Sequence, residues 1–383
     1  SIGGKCRYCK APVSIEYPCI ELLTGMLFLG CYILCYWVSP STPFIGEIFG
    51  EWWHKNGIYR TLPMFLALLT MVSGLLSMTI IDARTFTIPI QIPIFMTVVA
   101  FAAAIAQSWM TMRYTPDQVW PYPLLDWTWA AAAFGGMAGV VLSTFLLKIG
   151  VFKYSFSDYE DFLQEGETLC EYPHSRREMR KEILFILPII LLFVGGWMAG
   201  YEQGYPSPLL QGLAGSMLGY LVGGGLVWAI RIIGTLAFGR EAMGLGDVHL
   251  LAGVGAVVGW WDPILIFFIA PFSGLLWAAF AAILEKIGKD NKEIPYGPHL
   301  AIATLLVVFL QPGVNWVWSV AMPGVLQPTS EKLQTYLPQT DLTYKVKDCS
   351  IQVIPHVVGY DKVIQDVSLV CGYRSSETEK GHA

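Results

Sequence analysis

Long apolar runs alternate with short polar connections over the first 320 residues. Apolar runs of this length are candidates for membrane-spanning helices. A bilayer core of roughly 30 Å needs about 20 apolar residues as a helix. Spans are therefore predicted at 19–39, 61–81, 90–109, 125–149, 183–200, 209–231, 249–261, 263–284 and 299–320. The seventh is short and glycine-rich, parted from the eighth only by Trp260, Trp261, Asp262 and Pro263, and that pair can also be read as one bent or re-entrant element. The expected architecture is an all-α polytopic bundle of eight or nine spans. Residues 1–18 precede it as a short cytoplasmic segment, residues 150–182 form a polar loop inside it, and residues 321–383 follow as a polar tail, appended or partly disordered.

Composition agrees with the pattern. Of 383 residues 54% are hydrophobic and 14% charged, with a mean hydropathy of +0.52, against a charged share of about a quarter in soluble domains. The formal net charge of −5 and the lack of a strongly basic stretch argue against a nucleic-acid partner. Eight scattered cysteines do not suggest a disulfide framework. Cys6 and Cys9 make the lone C-x-x-C pair, and in the tail Cys349 and Cys371 either pair in an oxidising compartment or stay free. The chain opens at Ser1 without a methionine and runs straight into a polar, cysteine-bearing stretch, so further sequence is expected upstream, and no signal peptide is read in these residues.

Positive charge is retained on the cytoplasmic side of a membrane. Lys5, Arg7 and Lys10 precede the first span; Lys148, Lys153, Arg176, Arg177, Arg180 and Lys181 lie between the fourth and fifth; Lys286, Lys289 and Lys292 lie between the eighth and ninth. With nine spans all three groups share one side. That parity also brings Asp82, at the end of the second span, and Asp247, just before the seventh, to the same face. Ionisable groups at the margin of hydrocarbon are costly unless they face a polar cavity, so both are functional candidates. Two carboxylates sharing a water can hydrolyse a peptide without a nucleophilic side chain, one taking the water's proton and the other polarising the carbonyl. Gly244 and Gly246, beside Asp247, lack Cβ atoms and would let an extended substrate approach. Arg84, two residues past Asp82, is expected to act on that acid.

Four segments in order resemble the prepilin peptidase (type IV leader peptidase) family: CRYCKAPVSIEYPCIELLTGMLF from Cys6, IDARTFTIP around Asp82, GREAMGLGDVHLLA with its G-x-G-D around Asp247, and IPYGPHLAIA from Ile294. The resemblance implies a multi-pass aspartic endopeptidase of the bacterial inner membrane. Asp82 and Asp247 would be its catalytic pair, cutting the basic leader from prepilin or pseudopilin precursors at the cytoplasmic face. It implies no cofactor for proteolysis, zinc on Cys6 and Cys9 as half of a tetrahedral site, and S-adenosylmethionine where a member also methylates the new N-terminus. Glu16 stands where the family usually has arginine, Ile90 where it has aspartate, and His249 where it has lysine.

Other readings compete with these. Asp82 and Asp247 as plain helix caps would carry no chemistry. A transporter or channel would use intramembrane acids to bind a cation, but both aspartates here sit at one face. A presenilin-type protease also uses G-x-G-D, whereas the C-x-x-C, I-D and I-P-Y-G-P segments favour the prepilin family. Cys170 and His174 are remote candidates for completing a metal site. Gly215, Gly219 and Gly223 to Gly225 are read as close helix packing, and the charged run 175–182 as a solvated helix entry.

Overall fold

The computed structural model describes residues 14–43, 48–114, 125–158, 172–201, 206–286 and 296–310, a few isolated positions near the start, and three strands in the tail. Among the described residues nine helices run in order: α1 Glu16–Tyr32, α2 Gly50–Thr85, α3 Gln91–Tyr114, α4 Trp127–Lys148, α5 Ser175–Ala199, α6 Pro208–Phe238, α7 Leu245–Val258, α8 Asp262–Lys286 and α9 Tyr296–Phe309. A turn of π-helix, Ile33–Trp37, continues α1. Seven of these helices are long and apolar enough to cross a membrane; α7 and α9 are apolar but shorter. The polytopic helical bundle expected from the apolar runs is thus present.

Several boundaries differ from those expected. α2 begins at Gly50 rather than near 61, and bends at Gly57, whose φ of 66° takes it out of helical geometry. α5 begins at Ser175, not 183, so the charged run is two turns of helix. Nor is that run solvated throughout: Glu178 and Glu182 are buried. The Glu178 carboxylate accepts from the backbone N–H of Phe156 at 2.9 Å and from Lys181 Nζ at 2.7 Å, and Glu182 pairs with Arg231. Before α5, the Tyr172 hydroxyl donates to Asp158 at 2.7 Å, which holds that carboxyl below its usual range.

The seventh and eighth spans are separate helices. Gly259 ends α7 with a φ of 95°, and α8 restarts at Asp262. At 1.5 Å per residue, α7 is about 21 Å long, too short to cross the hydrocarbon alone. It is instead sheathed in protein: every residue from Asp247 to Val257 except His249 is buried, with α2, α3, α6, α8 and α9 around it. A Cβ at Gly219 of α6 would strike the carbonyl of Gly255 of α7, and one at Gly255 would strike that of Gly219. Gly223 meets Leu251 in the same way, whereas Gly225 faces open space. Ser216 Oγ donates across this contact to the Ala256 carbonyl at 2.5 Å. Gly255→Ala is accordingly expected to force the two backbones apart, at about 1–3 kcal/mol, and to lower the thermal unfolding midpoint in detergent. An unchanged midpoint would contradict the backbone contact.

α4 and α5 pack by the same device, with Gly135 against the Leu192 carbonyl and Gly196 against that of Ala131. Small residues are what let transmembrane backbones approach this closely. The helical unit ends at Val314, and residues 315–383 form a second unit. That tail is not merely polar chain: β1 Tyr344–Val346, β2 Cys349–Val357 and β3 Val363–Cys371 make an antiparallel sheet in that order. Its register sets Cys349 opposite Cys371.

Candidate active site

Asp82 lies in the last turn of α2. The helix stops just beyond it, where Phe86 adopts a left-handed φ of 55° and donates its N–H to the Asp82 carbonyl at 2.9 Å. The chain then runs through Ile88 and Pro89 into α3. Asp247 lies in the first turn of α7, after Gly244 caps that helix in an extended conformation. Its backbone N–H donates to the Gly244 carbonyl at 3.3 Å. Both side chains belong to buried residues, 4% exposed at Asp82 and 7% at Asp247. The two carboxylates act on one another electrostatically. The end of one helix and the start of another thus bring to one place two acids that lie far apart in the sequence.

A third element closes the site. The start of α9 carries Tyr296 and Gly297, and the Gly297 N–H faces the Asp82 carboxylate. A Cβ on Gly297 would land on Asp82 Oδ2 and lie 3.2 Å from its Cγ. Tyr296 is close enough to Asp247 to interact with its charge. Ile88, from the linker after α2, fills the centre: it lies 2.8 Å from where a Cβ of Gly246 would be, and 3.2 Å from that of Gly297. The segment IPYGPHLAIA carries this third wall, yet its apolar character gave no hint that its glycine would touch Asp82.

The two glycines beside Asp247 have different surroundings. Gly244 lies beside the Asp247 carboxylate, where an added Cβ would sit 3.3 Å from Oδ2. The bare side of Gly246 is filled by Ile88, so its lack of a Cβ serves packing between the two aspartate segments rather than an approaching substrate. Arg84 is also not where its spacing suggested. It pairs with Glu16, both side chains 59% exposed, and it is not among the groups acting on Asp82. Glu16, the first residue of α1, is the acid that receives Arg84.

Zinc does not find a set of ligands among the described residues. Cys9 is exposed, Cys6 and Cys170 lie outside the described residues, and no three His, Cys, Asp or Glu side chains gather for a metal among those described. No chemical step is assigned to a metal here.

Residues 177–279 match the type IV leader peptidase family, and residues 1–35 match the bacterial peptidase A24 N-terminal domain. The chain is 37% identical over 112 residues to a prepilin leader peptidase/N-methyltransferase of Aeromonas salmonicida, which covers 29% of this chain and 36% of the relative. It is 32% identical over 127 residues to the Pseudomonas putida protein of that name, covering 32% of this chain and 42% of the relative. With the Dickeya chrysanthemi protein of that name the match is 31% over 141 residues, 36% of this chain and 47% of the relative. The chain thus spans less than half the length of these relatives. No solved structure matches.

Proposed function

We propose, for a chain whose residues 177–279 match the type IV leader peptidase family and whose residues 1–35 match the bacterial peptidase A24 N-terminal domain, that it is a membrane aspartic endopeptidase. Its substrates are type IV prepilin-like precursors, from which it removes the basic leader at the cytoplasmic face of the bacterial inner membrane. The observation that carries this reading is the meeting of two buried carboxylates, Asp82 and Asp247, at the ends of separate helices with Gly297 against one of them.

In this reading one carboxylate is ionised and takes a proton from a water as its oxygen attacks the scissile carbonyl carbon. The other carboxyl gives its proton to the carbonyl oxygen. Collapse of the gem-diol breaks the C–N bond, and a proton passes to the leaving nitrogen, so no covalent intermediate forms. Gly244, extended before Asp247, is the proposed contact for the substrate backbone. Both acids sit at helix ends rather than mid-helix, which favours an enzyme working on an entering chain over a cation pathway through the bundle. N-methyl transfer, the second activity in the relatives' name, would draw on S-adenosylmethionine, and we assign no residue of this chain to it.

Co-expression with a prepilin of basic leader tests the reading in cells: the precursor is expected to shorten by its leader, and a precursor of unchanged mass would contradict it. Because the proton transfers need only carboxylates and water, Cys6→Ser with Cys9→Ser is expected to keep cleavage within about threefold. Metal analysis of the same two preparations reports whether these thiolates hold zinc. A loss of proteolysis in that variant, with the protein folded, would bring the cysteines into the peptidase chemistry.

A further inference from the structure

Arg231, near the end of α6, is 1% exposed and leads the largest fully buried side chains of the described residues. A guanidinium in such a place requires its charge and its donors to be met. From α5, Glu182 takes Nε at 3.1 and 3.2 Å and Nη2 at 3.0 Å, and it also accepts the Trp228 indole N–H at 2.8 Å. From the connection between α6 and α7, Glu241 accepts from Nη1. The same nitrogen donates to the carbonyl oxygen of Met243. One turn along α6, Thr235 Oγ1 accepts the N–H of Ala242 at 3.1 Å. One face of α6 therefore holds Glu241, Ala242 and Met243 in succession.

Glu182 alone neutralises Arg231, so the bond to Met243 is not needed for charge balance. It falls on a particular peptide. Met243 and Gly244 share one peptide plane, and in a trans peptide the C=O and the N–H point to opposite edges; the described residues contain no cis bond. On the far edge the Gly244 N–H faces the Asp247 carboxylate. The absent Cβ of Gly244 leaves that face open, 3.3 Å from Asp247 Oδ2. A hydrogen bond to the carbonyl also polarises the N–H at the other end of the same amide.

We propose that Arg231 is a positioning residue for catalysis: it clamps the Met243–Gly244 peptide by its carbonyl, so that the opposite N–H holds the Asp247 carboxylate in place for its partner Asp82. This rests on the peptidase reading. Nothing in the G-x-G-D motif contains Arg231, which reaches the motif only because the connection folds back over the buried face of α6. Glu182 and Glu241 act one step further out by holding the guanidinium.

The test compares three forms of the full chain in detergent: unmodified, Arg231→Lys, and Arg231→Met combined with Glu182→Gln and Glu241→Gln. The triple change removes the acids' charge together with the guanidinium, so that no buried carboxylate is left unpaired. Relative to folded protein, the triple variant is expected to lose about 100-fold in kcat on a purified prepilin, with KM within about threefold. Arg231→Lys, which keeps a donor but not the fork, is expected to fall between, at about tenfold. A kcat in the triple variant within about threefold of the unmodified chain, or a loss confined to KM, would overturn the proposal. Hydrogen exchange supplies a readout that does not need turnover. Amides of 240–247 are expected to exchange faster in the triple variant while those of α4 are unchanged; equal exchange at 240–247 overturns the clamp even if the chain proves to have another substrate. Should the unmodified chain leave prepilin uncut while exchange responds as stated, the peptidase reading fails and the clamp stands.

Discussion

Asp82→Asn and Asp247→Asn are each expected to reduce leader cleavage by about 10³-fold or more while the protein still inserts and folds. Asparagine keeps the size and one hydrogen-bonding oxygen of the side chain, so packing around α7 and α9 is retained. It cannot take or give the proton that each half of the reaction requires. General acid–base groups contribute roughly 10²–10⁴ each, and paired groups acting as a unit fail together, so the double variant should be little worse than either single one. Either change puts a neutral group of the same shape in place of a buried acid, so neither variant should unfold at lower temperature than the unmodified protein. Cleavage near the unmodified rate in either variant, scored by precursor mass in membranes, would mean that the pair is structural.

Gly297→Ala is expected to lower cleavage by about 100-fold with little change in substrate affinity. The added methyl would clash with Asp82 Oδ2, and neither backbone can yield easily. Asp82 is in the last turn of a long helix, and Gly297 in the first turn of α9, whose residues Gly297 to Ala301 are all buried. The carboxylate must swing away, and a misplacement near 1 Å in an active site can cost on the order of 10²-fold in rate. The expected signature is a fall in kcat with KM within about threefold. A variant that cleaves normally would show that the start of α9 does not bear on the dyad.

Much of this arrangement could be read from residue order. Hydropathy located each described helix of the bundle, the seven of membrane length and the shorter α7 and α9 alike, because long apolar runs have few other uses. The parity of the spans put Asp82 and Asp247 at one end without any knowledge of packing. What hydropathy does not register is where a helix continues into polar residues. α5 begins eight residues before its apolar run because Glu178 and Glu182 are buried against Phe156, Trp228 and Arg231, and those partners are distant in sequence. α2 reaches back to Gly50 through a bend at Gly57. For the predicted ninth span, 299–320, the structure has Tyr296–Phe309, and residues 311–320 lie outside the described residues.

The site was legible in its acids and not in its walls. A carboxylate at the edge of an apolar run stands out by charge, whereas Ile88, Tyr296 and Gly297 are ordinary residues until the fold sets them against Asp82 and Asp247. Spacing misled at Arg84. Two residues along a helix turns a side chain by about 200°, away from its neighbour, and Glu16 was there to receive it. In the tail, β2 and β3 carry the period-two signal of strands at Ile351 and Val353 and at Val367 and Leu369. The tail, expected from its polarity to be a small appended segment or partly disordered, holds these strands in a unit of its own.

The central claim is best met by a single experiment: the purified chain, in detergent or proteoliposomes, incubated with one purified prepilin of basic leader beside the Aeromonas salmonicida relative as a control, with products identified by intact mass and N-terminal sequence. The account predicts that the chain releases the leader at the junction the relative uses, and that Asp82→Asn and Asp247→Asn protein do not. A precursor left whole by the folded chain, under conditions where the relative cuts it, would contradict the account.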